Sequence, residues 1–421
     1  MSQDATAARK HALFLLSEVL DQSRPLSEIP LRGDPADQAR ALSSVRGVLR
    51  NLTRLDGILD EYLSRRPKGR VMHILRLGAY DIMVGDVADH AAVDQAVRLA
   101  KTHKKTESFS GLINAVLRKL LKAEAREKFD TSELRGLPKP FLAAMKDLSA
   151  EDAQGIARVQ SLTPPVDLTL KSQGDGEAWA ERLTASFLPN GSLRLNDARQ
   201  ISALDGFEAG DWWVQDAAAS LPVKLLSPAK NLRVLDLCAA PGGKTLQLAA
   251  MGAHVTALDI SKARLKRVSE NLSRCKLEAE IVAADALQYQ AEPFDAILLD
   301  APCSASGTIR RHPELPILRP KPNLTALLKL QRAMLKKAVE LLKPGGELVY
   351  ATCSLFESEG CEQAEYATEK LDLLPAQISA SDFGLPEQSQ IAENAFRLRP
   401  HFWAEIGGMD GFFMAKFTKP A

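Results

Sequence analysis

Apolar positions recur every three to four residues through most of the first 125 residues, and this spacing predicts helices. Ala12, Leu13, Leu15, Leu16, Val19 and Leu20 form one such face. Ile74, Leu75, Leu77 and Gly78 lie in a second, Ala92, Val93, Ala96, Val97 and Ala100 form a third, and Leu112, Ile113, Val116, Leu117 and Leu120 a fourth. Polar turns such as Arg66-Pro67-Lys68-Gly69 separate them, with no strand-like alternation. The pattern predicts an all-α bundle over 1–128. From 129 to 150 the chain is charged and broken by Pro138 and Pro140, which predicts a linker with a short helix. Val166 to Leu170 alternates, and a small α+β subdomain is expected over 151–225, ending near Trp212, Trp213 and Val214. After about residue 230 the period changes. Leu232–Leu237, Val255–Leu258, Ile281–Ala283, Ala296–Leu299 and Glu347–Tyr350 are short apolar runs, most of them separated by helical stretches. Such alternation predicts a parallel, doubly wound sheet of Rossmann-like α/β type over 226–421.

The overall reading is therefore a multidomain protein, as 421 residues also imply. With 45% hydrophobic and 25% charged residues the composition is that of a soluble globular chain. No apolar run approaches the roughly 18–20 residues needed to span a bilayer. Met1 to Arg9 lack an apolar secretory core, so a cytoplasmic location is expected. In that reducing compartment the five cysteines, at 238, 275, 303, 353 and 361, should be thiols. The histidines and cysteines show no ligand spacing, and no metal is expected. Charge is uneven: the first 130 residues carry 22 Lys and Arg against 17 Asp and Glu, leaving −4 for the rest of a chain whose formal net charge is +1. Arg65, Arg66, Lys68 and Arg70, then Lys101, Lys104 and Lys105, cluster in that first part. They read either as a solvated helix face or as a patch facing phosphates.

The first sheet strand runs into Asp236-Leu237-Cys238-Ala239-Ala240-Pro241-Gly242-Gly243-Lys244-Thr245 and then a helix. A tight glycine turn at a strand's carboxyl end is where such sheets bind nucleotide-like ligands. A phosphate loop of Walker A type needs glycine where Cys238 stands. The dinucleotide fingerprint fails as well, since only Gly242 and Gly243 are present. A loop for S-adenosylmethionine (SAM), which has no pyrophosphate, remains. Asp259 ends the second strand, placed to accept from ribose hydroxyls, and Asp285 ends the third, placed to contact adenine. Either carboxylate could instead be a helix cap.

Asp300-Ala301-Pro302-Cys303-Ser304-Ala305-Ser306-Gly307 follows the fourth strand, and Ala351-Thr352-Cys353-Ser354 the fifth. Both thiols leave the sheet at its ligand edge. Free cysteine is commonly buried filler, which suits Cys238, Cys275 and Cys361 better than these two. Carbon 5 of cytosine is too weak a nucleophile to attack a sulfonium methyl unaided. A thiolate added at carbon 6 makes it an enamine and activates it.

These motifs resemble the Nol/Nop/Sun group of RNA 5-methylcytosine methyltransferases, and most its bacterial RsmB (Fmu/Sun) branch. Val214-Gln215-Asp216-Ala217 and the tail Gly408-Met409-Asp410-Gly411-Phe412-Phe413 fit the same pattern. The front, through Ile74–Tyr80, His90–Val97 and Ile113–Arg118, resembles the NusB-type RNA-binding bundle, and 151–225 an RRM-like subdomain. The resemblance implies that Cys353 attacks carbon 6 and that Cys303 assists release. It implies that Asp300 bonds the cytosine edge near N3 and that Lys244 sits close to the reacting base. SAM would be lined by Cys238, Ala239, Ala240, Pro241, Gly242, Gly243, Lys244, Asp259, Asp285 and Asp300. The implied target is small-subunit ribosomal RNA, methylated before assembly, and a monomer is expected. Arg310 and Arg311 are the expected phosphate contacts. Leu315–Pro322 departs from the family pattern, being rich in proline and lacking tryptophan, and is expected to touch RNA. Two other readings stay open. One is an RNA-binding protein that has lost activity, against which the intact cysteines and loop speak. The other is an exocyclic-nitrogen methyltransferase, which needs no thiol and places an aromatic where Cys303 stands.

Overall fold

Asp34 accepts from the backbone N–H groups of Ala36 and Asp37, and Pro35 follows at the first helical position, so the helix Pro35–Arg50 starts there. Ser149 and Asp152 form a reciprocal capping box that opens Ala150–Ser161. Such local signals, with the apolar faces, build the helices Asp4–Gln22, Leu52–Asp60, Arg70–Met83, Asp89–Lys101, Ser110–Leu120 and Ala123–Thr131. The computed structural model describes all residues except 1–3, 86, 135, 146–147, 198 and 228–229. The start of the amino-terminal stretch and parts of the 129–150 linker thus lie outside the described residues. The linker's short helix is Lys139–Ala143.

The chain divides into two units, one of Met1–Phe141, Ser149–Thr163 and Ile309–Lys321, the other of Leu142–Leu148, Pro164–Thr308 and Pro322–Ala421. The first is the helical bundle, with one apolar core that includes Leu15, Leu49, Leu75, Ala96 and Leu117. At Gly78 an added Cβ would lie 2.5 Å from a Leu117 methyl, so glycine there permits close helix approach. The Pro-rich departure belongs to this unit. Ile317 and Leu318, on and at the end of the short helix Leu315–Leu318, rest on the bundle core.

The second unit contains two sheets. Strands β1 (Asp167–Leu170), β2 (Ala185–Phe187), β3 (Leu193–Leu195) and β4 (Trp212–Val214) form an antiparallel sheet in the order β2-β3-β1-β4. The helix Gly176–Leu183 covers it through Trp179 and Leu183. The larger sheet contains β5 (Arg233–Leu237), β6 (His254–Asp259), β7 (Glu280–Ala283), β8 (Phe294–Asp300) and β9 (Leu342–Thr352), all parallel, in the order β7-β6-β5-β8-β9. The sequence pattern predicted these five. It did not predict β10 (Leu374–Pro375), β11 (Gln390–Ala392), β12 (Ala395–Leu398) or β13 (Phe412–Thr418). β13 runs antiparallel to β9 and continues through β12 to β11, so the sheet is mixed rather than wholly parallel.

Successive residues of the central strands enter opposite cores. Ala296, Leu298, Val349 and Ala351 face one, and Ile297, Leu299, Leu348 and Tyr350 the other. Both faces are buried, which explains the continuous apolar runs. The strand order reverses between β5 and β8, and a crevice forms at the carboxyl ends of strands at such a reversal.

A buried ion pair joins β1 to β3 inside the small sheet and reaches the carboxyl-terminal part of the unit through Ile406. Arg194 donates to both oxygens of Asp167, at 2.7 and 2.8 Å, with side-chain exposures of 4% and 0%. Arg194 also donates to the Ile406 carbonyl, and Asp167 accepts from the N–H of Ala217. Replacing Arg194 by Met should leave Asp167 buried without its partner and destabilise this unit by about 3–5 kcal/mol. All four tryptophans (179, 212, 213 and 403) lie in this unit, so urea unfolding followed by their fluorescence measures it. An unchanged midpoint would refute the assignment.

Candidate active site

The β5 loop turns because Gly242 adopts φ +106°, and it opens the helix Gly243–Ala250. Cys238, also left-handed at φ +70°, and Ala239 donate backbone N–H groups to the Leu258 carbonyl. Asp259 is buried. Its carboxylate accepts from the N–H groups of Ala240 and Ser261 and pairs with Arg264 at 3.3 Å. In this arrangement Asp259 braces the loop. Asp285 is exposed and accepts from Leu287 N–H.

Burial first, then the charges of Asp300, Asp259 and Asp236, push the Cys238 thiol up to about 12, so it keeps its proton. Asp300, Asp259 and Asp236 thus all lie close enough to Cys238 to oppose its ionisation. Lys244 donates to Asp300 at 2.7 Å and lies 5.3 Å from the centre of the Phe412 ring. Burial opposes the Lys244 ammonium, but Asp300 and the hydrogen bond to it outweigh that effect, and the pKa is raised.

The two remaining strand-end loops meet. Cys303 Sγ is 3.4 Å from Cys353 Sγ, and neither residue is fully buried. The bond to Cys353 is the largest influence holding the Cys303 thiol well above the ordinary range, followed by burial and by the charges of Cys353 and Glu359. Cys303 is therefore a sulfur whose ionisation its surroundings oppose. The loops are also stitched together through backbone. Gly307 N–H donates to the Cys353 carbonyl at 2.9 Å, and Gly411 N–H to the Gly307 carbonyl at 2.8 Å. A Cβ on Gly307 would fall 1.9 Å from the Gly411 oxygen, so only glycine admits the tail this close.

The structure thus brings Cys303, Cys353, Asp300, Lys244 and the Cys238–Gly243 loop to one edge of the sheet. Arg310 is a correction to the sequence reading. Its side chain is fully buried, with 0% exposure, so its guanidinium is withdrawn from the surface a phosphate could reach. Arg311 stays partly exposed. The proline-rich stretch next to them is likewise used in packing, through Ile317 and Leu318.

Sequence reasoning missed Glu359 and Gln331, both buried and bonded to the cysteine loops, and saw in Ser354 no more than a member of the Cys353 motif. An acid in Glu357-Ser358-Glu359 after a strand looks like a solvated turn, and only the fold shows otherwise. Gln215, by contrast, lies in a motif that was noticed. It accepts from the Trp213 indole and donates to Gln247, while Asp216 caps the helix Ala217–Leu225 and accepts from the Asp410 N–H. Among the described residues no group of His, Cys, Asp and Glu could hold a metal, and no helix is long and apolar enough to cross a membrane.

Comparisons with known proteins find relatives over nearly the whole chain. A family described as 16S rRNA methyltransferase RsmB/F matches residues 223–418, and the NusB family matches residues 6–122. The ribosomal RNA small subunit methyltransferase B of Shigella flexneri serotype 5b is 34% identical over 436 residues, covering 98% of each chain. That of Proteus mirabilis is 36% identical over 406 residues, covering 90% of this chain and 95% of the relative. A solved structure of a methyltransferase homolog from Pyrococcus horikoshii is 28% identical, with a TM-score of 0.55, covering 66% of this chain and 94% of that one.

Asp236, beneath the loop, supplies a pH test. Burial lifts its carboxyl from 3.8 to about 6, against the pull of its Thr245 hydrogen bond and of Lys244, and its Oδ1 has no partner. The folded state binds this proton more tightly than the unfolded chain, so stability falls as pH rises from about 4 to about 6. Asp236→Asn should remove that loss, gaining up to about 3 kcal/mol on the parent between pH 4 and 7. Melting curves of both proteins across that range check it. A stability difference that does not change with pH would contradict the shift.

Proposed function

Since the chain belongs to the RsmB/F family of 16S rRNA methyltransferases, we propose that it methylates carbon 5 of a cytosine in 16S rRNA through a covalent Cys353 adduct. The observation that carries this reading is the pair of sulfurs 3.4 Å apart on adjacent strand-end loops. An enzyme acting on an exocyclic nitrogen has no use for them.

The methyl donor is SAM, and the residues present fit it. Gly242 lets backbone approach a ligand closely. The carboxylates whose field raises Cys238 would repel a pyrophosphate and favour a cationic sulfonium. The 238–244 loop, Asp285 and Asp300 would hold SAM. Ribose access to Asp259 requires the exposed Arg264 side chain to move aside. When bound, SAM supplies an electrophilic methyl group.

This chain's own residues do the rest. The bond to Cys353, burial and the Glu359 charge all oppose ionisation of Cys303, so on this reading Cys353, within hydrogen-bond distance of it, is the attacking sulfur. A bond forms from Cys353 Sγ to carbon 6, the carbon 5–carbon 6 π pair shifts toward N3, which takes up the proton that Cys353 gives up, and the ring becomes an enamine that is nucleophilic at carbon 5. Asp300, steadied by Lys244, bonds the cytosine edge near N3. After methylation water takes the carbon 5 proton, that electron pair re-forms the carbon 5–carbon 6 double bond, the bond from sulfur to carbon 6 breaks, and the N3 proton goes to restore Cys303. Cys303 donates its proton to the departing sulfur. Arg311 remains as a phosphate contact in the helical unit.

Cys353→Ala should lower turnover of 16S rRNA by more than about 10³-fold while SAM binding, followed by calorimetry, is retained. Cys303→Ala should instead accumulate an RNA–protein adduct that survives a denaturing gel. An unshifted band with Cys303→Ala would count against the roles given to the two sulfurs. Bisulfite mapping of 16S rRNA from a deletion strain tests the product, which is 5-methylcytosine on this reading.

A further inference from the structure

Outside the reacting groups, the most heavily bonded buried charge in the catalytic unit is Glu359, with 0% exposure. Its Oε1 accepts from the Ser304 N–H at 2.9 Å and from Gln331 Nε2 at 3.1 Å. Its Oε2 accepts from the hydroxyls of Ser304 and Ser354, the latter at 2.6 Å. Its backbone carbonyl accepts from Tyr350 Oη at 2.9 Å and Thr352 Oγ1 at 3.2 Å. Ser304 follows Cys303 in the chain, and Ser354 follows Cys353. One carboxylate therefore holds the residue after each catalytic thiol. Gln331 adds a third strap, because its Nε2 also donates to the carbonyl of Pro302, which precedes Cys303. No other charged residue is bonded to both loops among the described hydrogen bonds.

A buried carboxylate is expensive to desolvate, and a neutral side chain of the same shape could fill the space. Stability alone does not explain the charge. We infer that Glu359 is the positioning residue of the thiol pair: its carboxylate clamps the two loops so that Cys303 faces Cys353 at bonding distance. Its charge also acts in the right sense, since it disfavours ionisation of Cys303 and so helps to keep the proton that sulfur must donate. Glu359 touches neither sulfur through a hydrogen bond, so its effect passes through Ser304, Ser354 and the Cys303 proton.

The inference rests on the covalent reading, and the experiment separates the two. Purified full-length Glu359→Gln is compared with the parent, with Cys303→Ala and with the double variant, using unmodified 16S rRNA and SAM. The clamp predicts that Glu359→Gln behaves as a weaker Cys303→Ala. Turnover falls about tenfold or more, KM for RNA and SAM changes less than about twofold, and the adduct resistant to denaturation rises several-fold. Added to Cys303→Ala, Glu359→Gln should change the adduct fraction no further, since both act on one step. If Glu359→Gln lowers turnover without adduct, or if its effect adds fully to that of Cys303→Ala, the clamp is wrong and Glu359 only supports the fold. If Cys303→Ala itself gives no adduct, the covalent reading fails and the clamp falls with it. Should Glu359→Gln melt well below the parent, Ser354→Ala, which removes one strap and leaves the charge, is put through the same comparison and must show the same adduct.

Discussion

The parallel pairing of β8 with β9 is the constraint on which the site depends. Asp300 stands opposite Ala351 in the register, so each strand delivers a cysteine just beyond the last paired residues. Two sulfurs at 3.4 Å cannot both ionise in a half-buried place, because like charges so close repel strongly. The pair must be asymmetric. Its asymmetry comes from the neighbourhood, in which burial and the Glu359 charge both oppose ionisation of Cys303. On the proposed mechanism a shared proton then makes one nucleophile and one acid of two chemically identical side chains.

The same geometry explains the tail. β13 pairs with β9 up to Phe413 opposite Thr352, which brings Gly411 onto Gly307. That contact leaves no room for a side chain at Gly307, and it ties the Cys303 loop to the far end of the chain. The residues that lead into β13 are therefore tied to the site as well as to the sheet.

Much of this was legible in the chain. Helical periodicity marked the bundle, and five parallel strands showed as apolar runs because both their faces are buried. The two cysteines could be read because their loops directly follow those strands. β10 to β13 were not seen, because they lack the intervening helices that announce parallel strands. Segment 309–321 was read as part of the catalytic domain, since sequence order does not reveal that a loop leaves one unit to pack in another. Arg310 looked like a phosphate ligand for the same reason. A pair of arginines in a loop suggests solvent, and only the fold shows one of them fully enclosed. Glu359 was missed because nothing local distinguishes it from Glu357.

Charge is divided in a way that suits a polyanionic substrate and a cationic donor. The exposed Arg65, Lys68, Arg70, Lys101, Lys104 and Lys105 lie in the helical unit, within the part of the chain that carries the excess of +5. The catalytic crevice gathers Asp236, Asp259 and Asp300, close enough to be felt together at one thiol. Two of those three carboxylates carry a cation of their own, Lys244 on Asp300 and Arg264 on Asp259. The crevice therefore presents its charges largely as partly buried pairs, which salt screens less than it screens the exposed cations of the helical unit.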